Sequence, residues 1–311
     1  MSDAFWRFSS KLEPGPLHLI ESQLAAEADR LGVLPLLRSD QQLFVTSDYS
    51  GMHKQAAFRT YSFLLVPSLP WKDWDERRRQ LREDSGVSRR MSYKTLGDFQ
   101  RYRIFRSFLQ LAKDLPSWCI TVAVDKRRGP LFGEPRDGSI DRELRDGWKQ
   151  GSRESMLRIT HFLALILSGV TSDRQNILWI SDEDEIVAND ARLAIVAKAL
   201  AYSTSNLVSH DLGHLRVGST KSDPGDLSLE DLTSIPDLVA GAVSDLLTHA
   251  PRRAAGLFAP APPALRFKGR AILAELFRDG FPMRTTVLTV EGARGSSLPA
   301  RVATQRILVD V

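Results

Sequence analysis

Ten residues, Asn176-Ile-Leu-Trp-Ile-Ser-Asp-Glu-Asp-Glu185, constrain the fold more than any other stretch of the chain. Four apolar residues, Ile177 to Ile180, run without a break into an acidic cluster. A short continuous apolar run ending in polar residues reads as a strand buried on both faces, inside a sheet with helices on each side. The acids Asp182, Glu183, Asp184 and Glu185 then leave the sheet at the carboxyl ends of its strands, the edge where open α/β sheets place their sites. Four adjacent negative charges are costly unless water, arginine or a metal ion screens them. The plain alternative is a solvated loop leading into a capped helix. A second strand ending at Asp48 and a later helix carrying Asp237 turn the lone run into a spaced acidic set.

The rest of the chain falls into place around that strand. Residues 1–42 hold an amphipathic helix from about Leu17 to Leu31, stopped by Gly32, which serves as an N-terminal cover. Strands are expected at Gln42–Tyr49 and Phe58–Val66, antiparallel because the connection is short, with Pro67 and Pro70 ending the second. A helical insertion spans about 71–116, and the run Trp118–Val124 is a third strand. Residues 139–168 read as helical, most strongly from Met156 to Leu167, with Gly169 as the stop. Asn189 caps a helix over 190–202; a fifth strand covers 212–219, and a helix over 229–247 contains Pro236. The proline-rich segment 251–263 is a linker to a short helix (265–277) and two strands (285–290 and 303–309) forming a C-terminal hairpin.

Composition bounds the function classes. The chain has 311 residues, 42% hydrophobic and 26% charged, enough for a sizeable core. A net charge of +4 permits an anionic partner without requiring one. A single cysteine, Cys119, excludes an internal disulfide and a cysteine-rich zinc site, and fits a reducing cytoplasm. Cys119 lies within an apolar strand, so a buried structural thiol is expected. The N-terminus has no secretory pattern, and the longest apolar stretch, His161–Ser168, is too short to span a bilayer. No phosphate loop, nucleophile elbow or histidine metal spacing occurs; His161 is expected to be a satisfied core histidine.

Between Glu76 and Arg106 ten basic and four acidic residues leave a segment at +6, with Tyr93, Phe99 and Tyr102 interleaved. A solvated helix face and a phosphate-contacting surface are both open readings. On the second, Arg77, Arg78, Arg79, Arg89, Arg90 and Lys94 would contact nucleic acid, joined by Lys126 and Lys221 from loops after the third and fifth strands.

The order strand, strand, strand, helix, strand, helix, strand, helix resembles the ribonuclease H-like superfamily, a mixed five-stranded sheet flanked by helices. The resemblance implies an α/β domain over residues 43–250, with N- and C-terminal additions. It also implies carboxylates at the first strand, the fourth strand and the last helix, here Asp48, Asp182 and Asp237. Glu154 is the acid best placed on the helix between the third and fourth strands, and Asp184 can substitute for Asp182. Asp48-Tyr49-Ser50-Gly51 and Pro236-Asp237-Leu238-Val239-Ala240-Gly241 are further similar to an uncharacterised bacterial domain family. There the first strand typically ends Asp-Glu-Ser-Gly and the last helix carries an Ala-Asp-Leu-Ile-Ala-Gly-type segment; Tyr49 departs from that Glu, and Pro236 from its usual Ala.

The activity so implied is hydrolysis of nucleic-acid phosphodiester bonds by two Mg²⁺ or Mn²⁺ ions held by carboxylates. Asp48 would bridge the ions, with Asp182 on one side and Asp237 or Glu154 on the other. Two alternatives accompany it. One is an inactive module of the same fold that binds nucleic acid or a protein partner. The other is a structural protein whose C-terminal hairpin pairs with another chain.

Overall fold

The computed structural model describes residues 5–132, 148–182, 186–249, 259–260, 266–278, 280–292 and 301–308. The acidic tail residues Glu183, Asp184 and Glu185 lie outside these, as do residues 139–147 of the expected helix from 139 and most of the proline-rich linker.

The chain begins with helix α1 (Pro16–Leu31) and the single turn α2 (Leu34–Leu37), then enters a sheet through strands β1 (Gln42–Ser50) and β2 (Phe58–Pro67). Two helices follow, α3 (Ser68–Ser85) and α4 (Phe99–Lys113), before β3 (Ser117–Asp125). Helix α5 (Gln150–Val170) leads to β4 (Asn176–Ser181), α6 (Asp190–Leu207) to β5 (Leu215–Ser219), and α7 (Ser228–His249) to a short β6 (Ala259–Pro260). Helix α8 (Phe267–Leu276) precedes β7 (Met283–Glu291), β8 (Arg301–Gln305) and β9 (Ile307–Leu308).

Seven strands form one sheet in the order β5-β4-β1-β2-β3-β7-β8. β1, β4 and β5 run parallel, β2 is antiparallel to both β1 and β3, and β7 is parallel to β3. This corrects the expected five strands to seven: the expected C-terminal hairpin forms and joins the same sheet. β7 pairs with the outer edge of β3 from Ser117 to Val124, and β8 pairs antiparallel with β7. The physical reason lies in β3, every residue of which is buried: a strand so apolar on both faces cannot be left as an open edge. The Trp118 indole N–H bonds Thr286 Oγ1 at 3.0 Å, fastening the pair from within the core.

Alternation along each strand divides the core in two. Leu43, Val45, Tyr61, Phe63, Trp118, Ile120 and Trp179 face one layer with α1, α2, α5 and α6. Leu64, Val66 and Cys119 face the other with α4, α7 and α8. Cys119 is fully buried, which pushes its thiol up to about 12 and matches the structural reading. Pro67 does end β2, but Pro70 sits in the first turn of α3, where its missing N–H costs nothing. Gly169 does not stop α5, which continues to Val170; a methyl group there would lie 1.9 Å from the Trp6 ring, so the glycine makes room for that indole. His161 is satisfied inside its helix, as expected, through Nδ1 and the Leu157 carbonyl at 2.8 Å. Among the described residues no helix is long and apolar enough to cross a membrane.

Candidate active site

Asp48 lies in β1, two residues before the strand ends at Ser50. Phe44, Thr46 and Asp48 share the face toward α7, while Leu43, Val45, Ser47 and Tyr49 face α5. Asp48 stands opposite Ser62 of β2 and is largely buried. Gly51 then turns the chain at φ 82°, where a Cβ would lie 2.0 Å from the Phe58 carbonyl oxygen, so only glycine fits behind this aspartate. On the neighbouring parallel strand Ser181 is level with Ser47, and the Asp182 N–H reaches the Ser47 carbonyl at 3.4 Å. Two steps of alternation from Ile180 put Asp182 on the α7 face as well. The two aspartates thus lie near one edge and on one face, Asp48 two residues before the end of β1 and Asp182 one residue past β4.

Helix α7 brings the third. Its proline explains how it is seated: Pro236 has no N–H to give the Leu232 carbonyl four residues back, and the buried Thr46 hydroxyl donates to that carbonyl at 3.3 Å. Thr60 Oγ1 donates to the Ala240 carbonyl at 3.0 Å, so the helix crosses β1 and β2 with Asp237 between the two anchors. One Asp237 oxygen accepts the Tyr93 N–H at 2.7 Å. Removal from water pushes the Asp237 carboxyl up; the Tyr93 N–H, the Ser92 hydroxyl and the Arg90 charge oppose this, and the charge of Asp182 adds to it.

Among these acids lies Arg90. Its Nη1 and Nη2 each donate to one oxygen of Asp182 at 2.7 Å, a bidentate pair, and its Nε is 3.5 Å from Glu230. Thr220 Oγ1 also donates to Asp182, at 3.1 Å. The hydrogen bond to Asp182, with the charges of Asp182, Glu230 and Asp237, holds the guanidinium firmly protonated. Glu230 is pushed up by burial and by Asp182, despite Arg90. One guanidinium therefore serves three carboxylates. The segment carrying it is clamped along α7: Ser234 Oγ donates to the Met91 carbonyl at 2.6 Å, the Tyr93 hydroxyl donates to Asp245, and Lys268 Nζ donates to the Tyr93 carbonyl at 2.6 Å. Gly241 admits the Tyr93 ring, since a Cβ there would lie 2.2 Å from its Cγ.

Other expected site residues stand elsewhere. Glu154 belongs to α5, on the opposite face of the sheet from Asp237; its Oε1 accepts from Arg158 Nε and from the Leu131 N–H, both at 2.7 Å. Tyr49 also faces α5, with its hydroxyl 2.7 Å from Ser47 Oγ, so position 49 does not look toward the acids under α7. Arg78, expected at a phosphate-contacting surface, is 1% exposed and corrects that expectation. With Arg82 it meets the fully buried Asp231, and it also bonds Asp75 and the Asp226 carbonyl, tying α3 to the start of α7. Arg77 pairs with Asp114, Arg79 with Asp75, and Arg89 with Asp98. Much of the +6 segment is thus neutralised within the protein. Lys94 is exposed, and Lys221 lies 4.0 Å from Asp190.

Oxygen donors of this kind suit Mg²⁺ or Mn²⁺. As now arranged they are not gathered around one ion: among the described residues no three His, Cys, Asp or Glu side chains stand together so as to hold a metal. Arg90 supplies the positive charge in their midst instead. Arg90 and Glu230 are the residues that sequence reasoning did not place in this constellation; the only hint of Arg90 was its membership of the basic run. The chain matches no protein-family model and no curated protein.

Proposed function

We propose that this α/β domain is ribonuclease H-like and hydrolyses nucleic-acid phosphodiester bonds with Mg²⁺ or Mn²⁺ at the acidic edge under α7. The observation that carries this reading is the convergence of Asp48 and Asp182, near the ends of adjacent strands and on one face, with Asp237 on the helix that covers them. Asp48, Asp182 and Asp237 would hold the metal, with Asp184 as a further acid outside the described residues. Bound there, the metal would lower the pKa of water and offset charge on the phosphoryl oxygens. Thr220 orients Asp182, and the Tyr93 N–H orients Asp237. Arg90 must release Asp182 before that carboxylate can take a metal, so metal and guanidinium compete for the same two oxygens.

A second reading is an inactive module of the same fold that binds nucleic acid or a protein. The bidentate Arg90–Asp182 pair favours it, because the acidic edge is already partly neutralised by the chain itself. Calorimetric titration of Mn²⁺ into the wild type, Asp48→Asn and Arg90→Ala, each with and without a short oligonucleotide, separates the two. The nuclease reading expects saturable binding that disappears in Asp48→Asn and tightens about tenfold or more in Arg90→Ala, roughly the 1.4 kcal/mol of one charge-assisted pair. Metal-dependent cleavage of the oligonucleotide should vanish in Asp48→Asn and Asp182→Asn. Absence of Mn²⁺ binding in every arm would leave the inactive module standing.

A further inference from the structure

A second polar site sits on the other face of the sheet, where β2 begins, β3 ends and α5 starts. A cavity of about 330 Å³ opens there, lined in part by Arg59, Lys126, Gly151, Glu154 and Arg158. Alternation turns Arg59 toward α5, and its Nη1 donates to Ser155 Oγ at 3.1 Å. Lys126, in the turn after β3, donates from Nζ to the His53 carbonyl. Neither cation has a carboxylate partner among the described residues. Arg158 is different, because Glu154 pairs with it at 2.7 Å and the Gly129 carbonyl accepts from it at 2.7 Å. Glu154 is thereby spent on Arg158, and among the described residues no carboxylate pairs with Arg59 or Lys126 across the cavity.

Two such cations in a concave site repel each other and lose hydration. Lys126 registers this: burial lowers its pKa first, and the Arg59 charge lowers it further. The start of α5 adds to the same potential. Lys149, at its N-cap, supplies no side-chain acceptor to the first turn, and a Cβ at Gly151 would meet nothing within 4 Å, so the positive end of a 21-residue helix is open to the cavity. Two cations without a carboxylate partner among the described residues, set beside a cavity and a helix N-terminus, are complementary to an anion with several acceptor oxygens.

We propose that this cavity binds a phosphate group, held by Arg59, Lys126 and the first turn of α5, with Arg158 and Glu154 fixing the wall. The site stands on its own geometry and does not depend on the carboxylate reading, although both lie along the same edge of the sheet. The phosphate can arrive free, as a terminal monoester, or as a backbone phosphodiester of a nucleic acid.

The test uses the full chain titrated with inorganic phosphate at ionic strength held constant with chloride, followed by calorimetry and thermal shift. Wild type, Arg59→Gln, Lys126→Gln and the double variant are compared. Saturable phosphate binding should weaken about tenfold in either single variant, roughly one charge-assisted bond, and disappear in the double variant. Lys126→Gln keeps the test valid if Arg59→Gln fails to fold, since Lys126 lies in a turn and is partly exposed. Competition by a short oligonucleotide with and without a 5′-phosphate assigns the source: only the phosphorylated form competing means a terminal monoester, both competing means the backbone, and neither competing means free phosphate. Equal binding by wild type and the double variant, or no saturable binding by wild type, would overturn the proposal.

Discussion

Glu21 is a charge placed where charge is expensive. It lies on α1, 1% exposed, and the Ser9 N–H donates to its Oε1 at 2.8 Å. Burial raises its pKa above the ordinary 4.5, outweighing that bond and the charge of His18. The sign of the linkage follows: between 4.5 and the raised value the folded state holds the proton more tightly than the unfolded state, so stability falls as pH rises through that window. Glu21→Gln keeps the acceptor for Ser9 and removes the cost. The variant should melt above the wild type at pH 7, and the gap should close once the pH drops below 4.5. Thermal melts at several pH values check this; an equal or lower melting temperature at pH 7 would mean the carboxylate is compensated. Asp231 shows the opposite solution to the same problem, full burial with Arg82 and Arg78 against it. Neither partnership could be read from the sequence. Position 21 looked like one more polar residue of an amphipathic helix, and Arg78 like part of a solvated basic face.

Helix α7 is the element on which the candidate site depends, and its proline is a fastening. The carbonyl of Leu232, orphaned by Pro236, is satisfied by Thr46, two residues before Asp48 on the same face of β1. Thr46→Val removes the donor without changing shape and leaves a buried acceptor unpaired, at a cost of about 1–3 kcal/mol. In a Pro236→Ala background residue 236 regains its N–H, so the same substitution should cost clearly less. Denaturant unfolding of the four proteins in the cycle measures the coupling. Equal costs in both backgrounds would show that Thr46 does not serve the proline's carbonyl. Sequence periodicity located α7 to within two residues at each end and left its proline as a tolerated residue or a kink. Why the helix keeps it becomes clear only beside β1.

At the scale of the molecule, the C-terminal segment closes the sheet. Ile272, Leu273, Leu276, Met283, Val287, Leu288 and Val290 are all buried in the two core layers. At roughly 1.5–3 kcal/mol each, their burial is comparable to or larger than the whole stability expected of a domain. Truncation after Pro260 should therefore yield an unfolded or aggregated chain by circular dichroism and size exclusion. A folded, monomeric truncated protein would instead support a hairpin held in reserve for another chain.

Local chemistry alone determined a good deal. The apolar run into Asp182, the strand ending at Asp125, the cap at Asn189 and the α7 periodicity are set by neighbours in the sequence, through side-chain alternation and helical spacing, and each lies where those rules put it, while the first strand runs two residues past Asp48 to Ser50. The two motif glycines, Gly51 and Gly241, were visible as letters, but their reasons, the Phe58 carbonyl and the Tyr93 ring, come from residues distant in the chain. The tertiary structure alone decided that β7 and β8 extend the sheet, that Glu154 faces away from Asp237, and that Arg90 sits among the acids. These outcomes depend on which edge is left open, which face a helix covers and which charges are buried together. Such energies belong to pairs of residues brought close by folding, and no window of sequence contains both members.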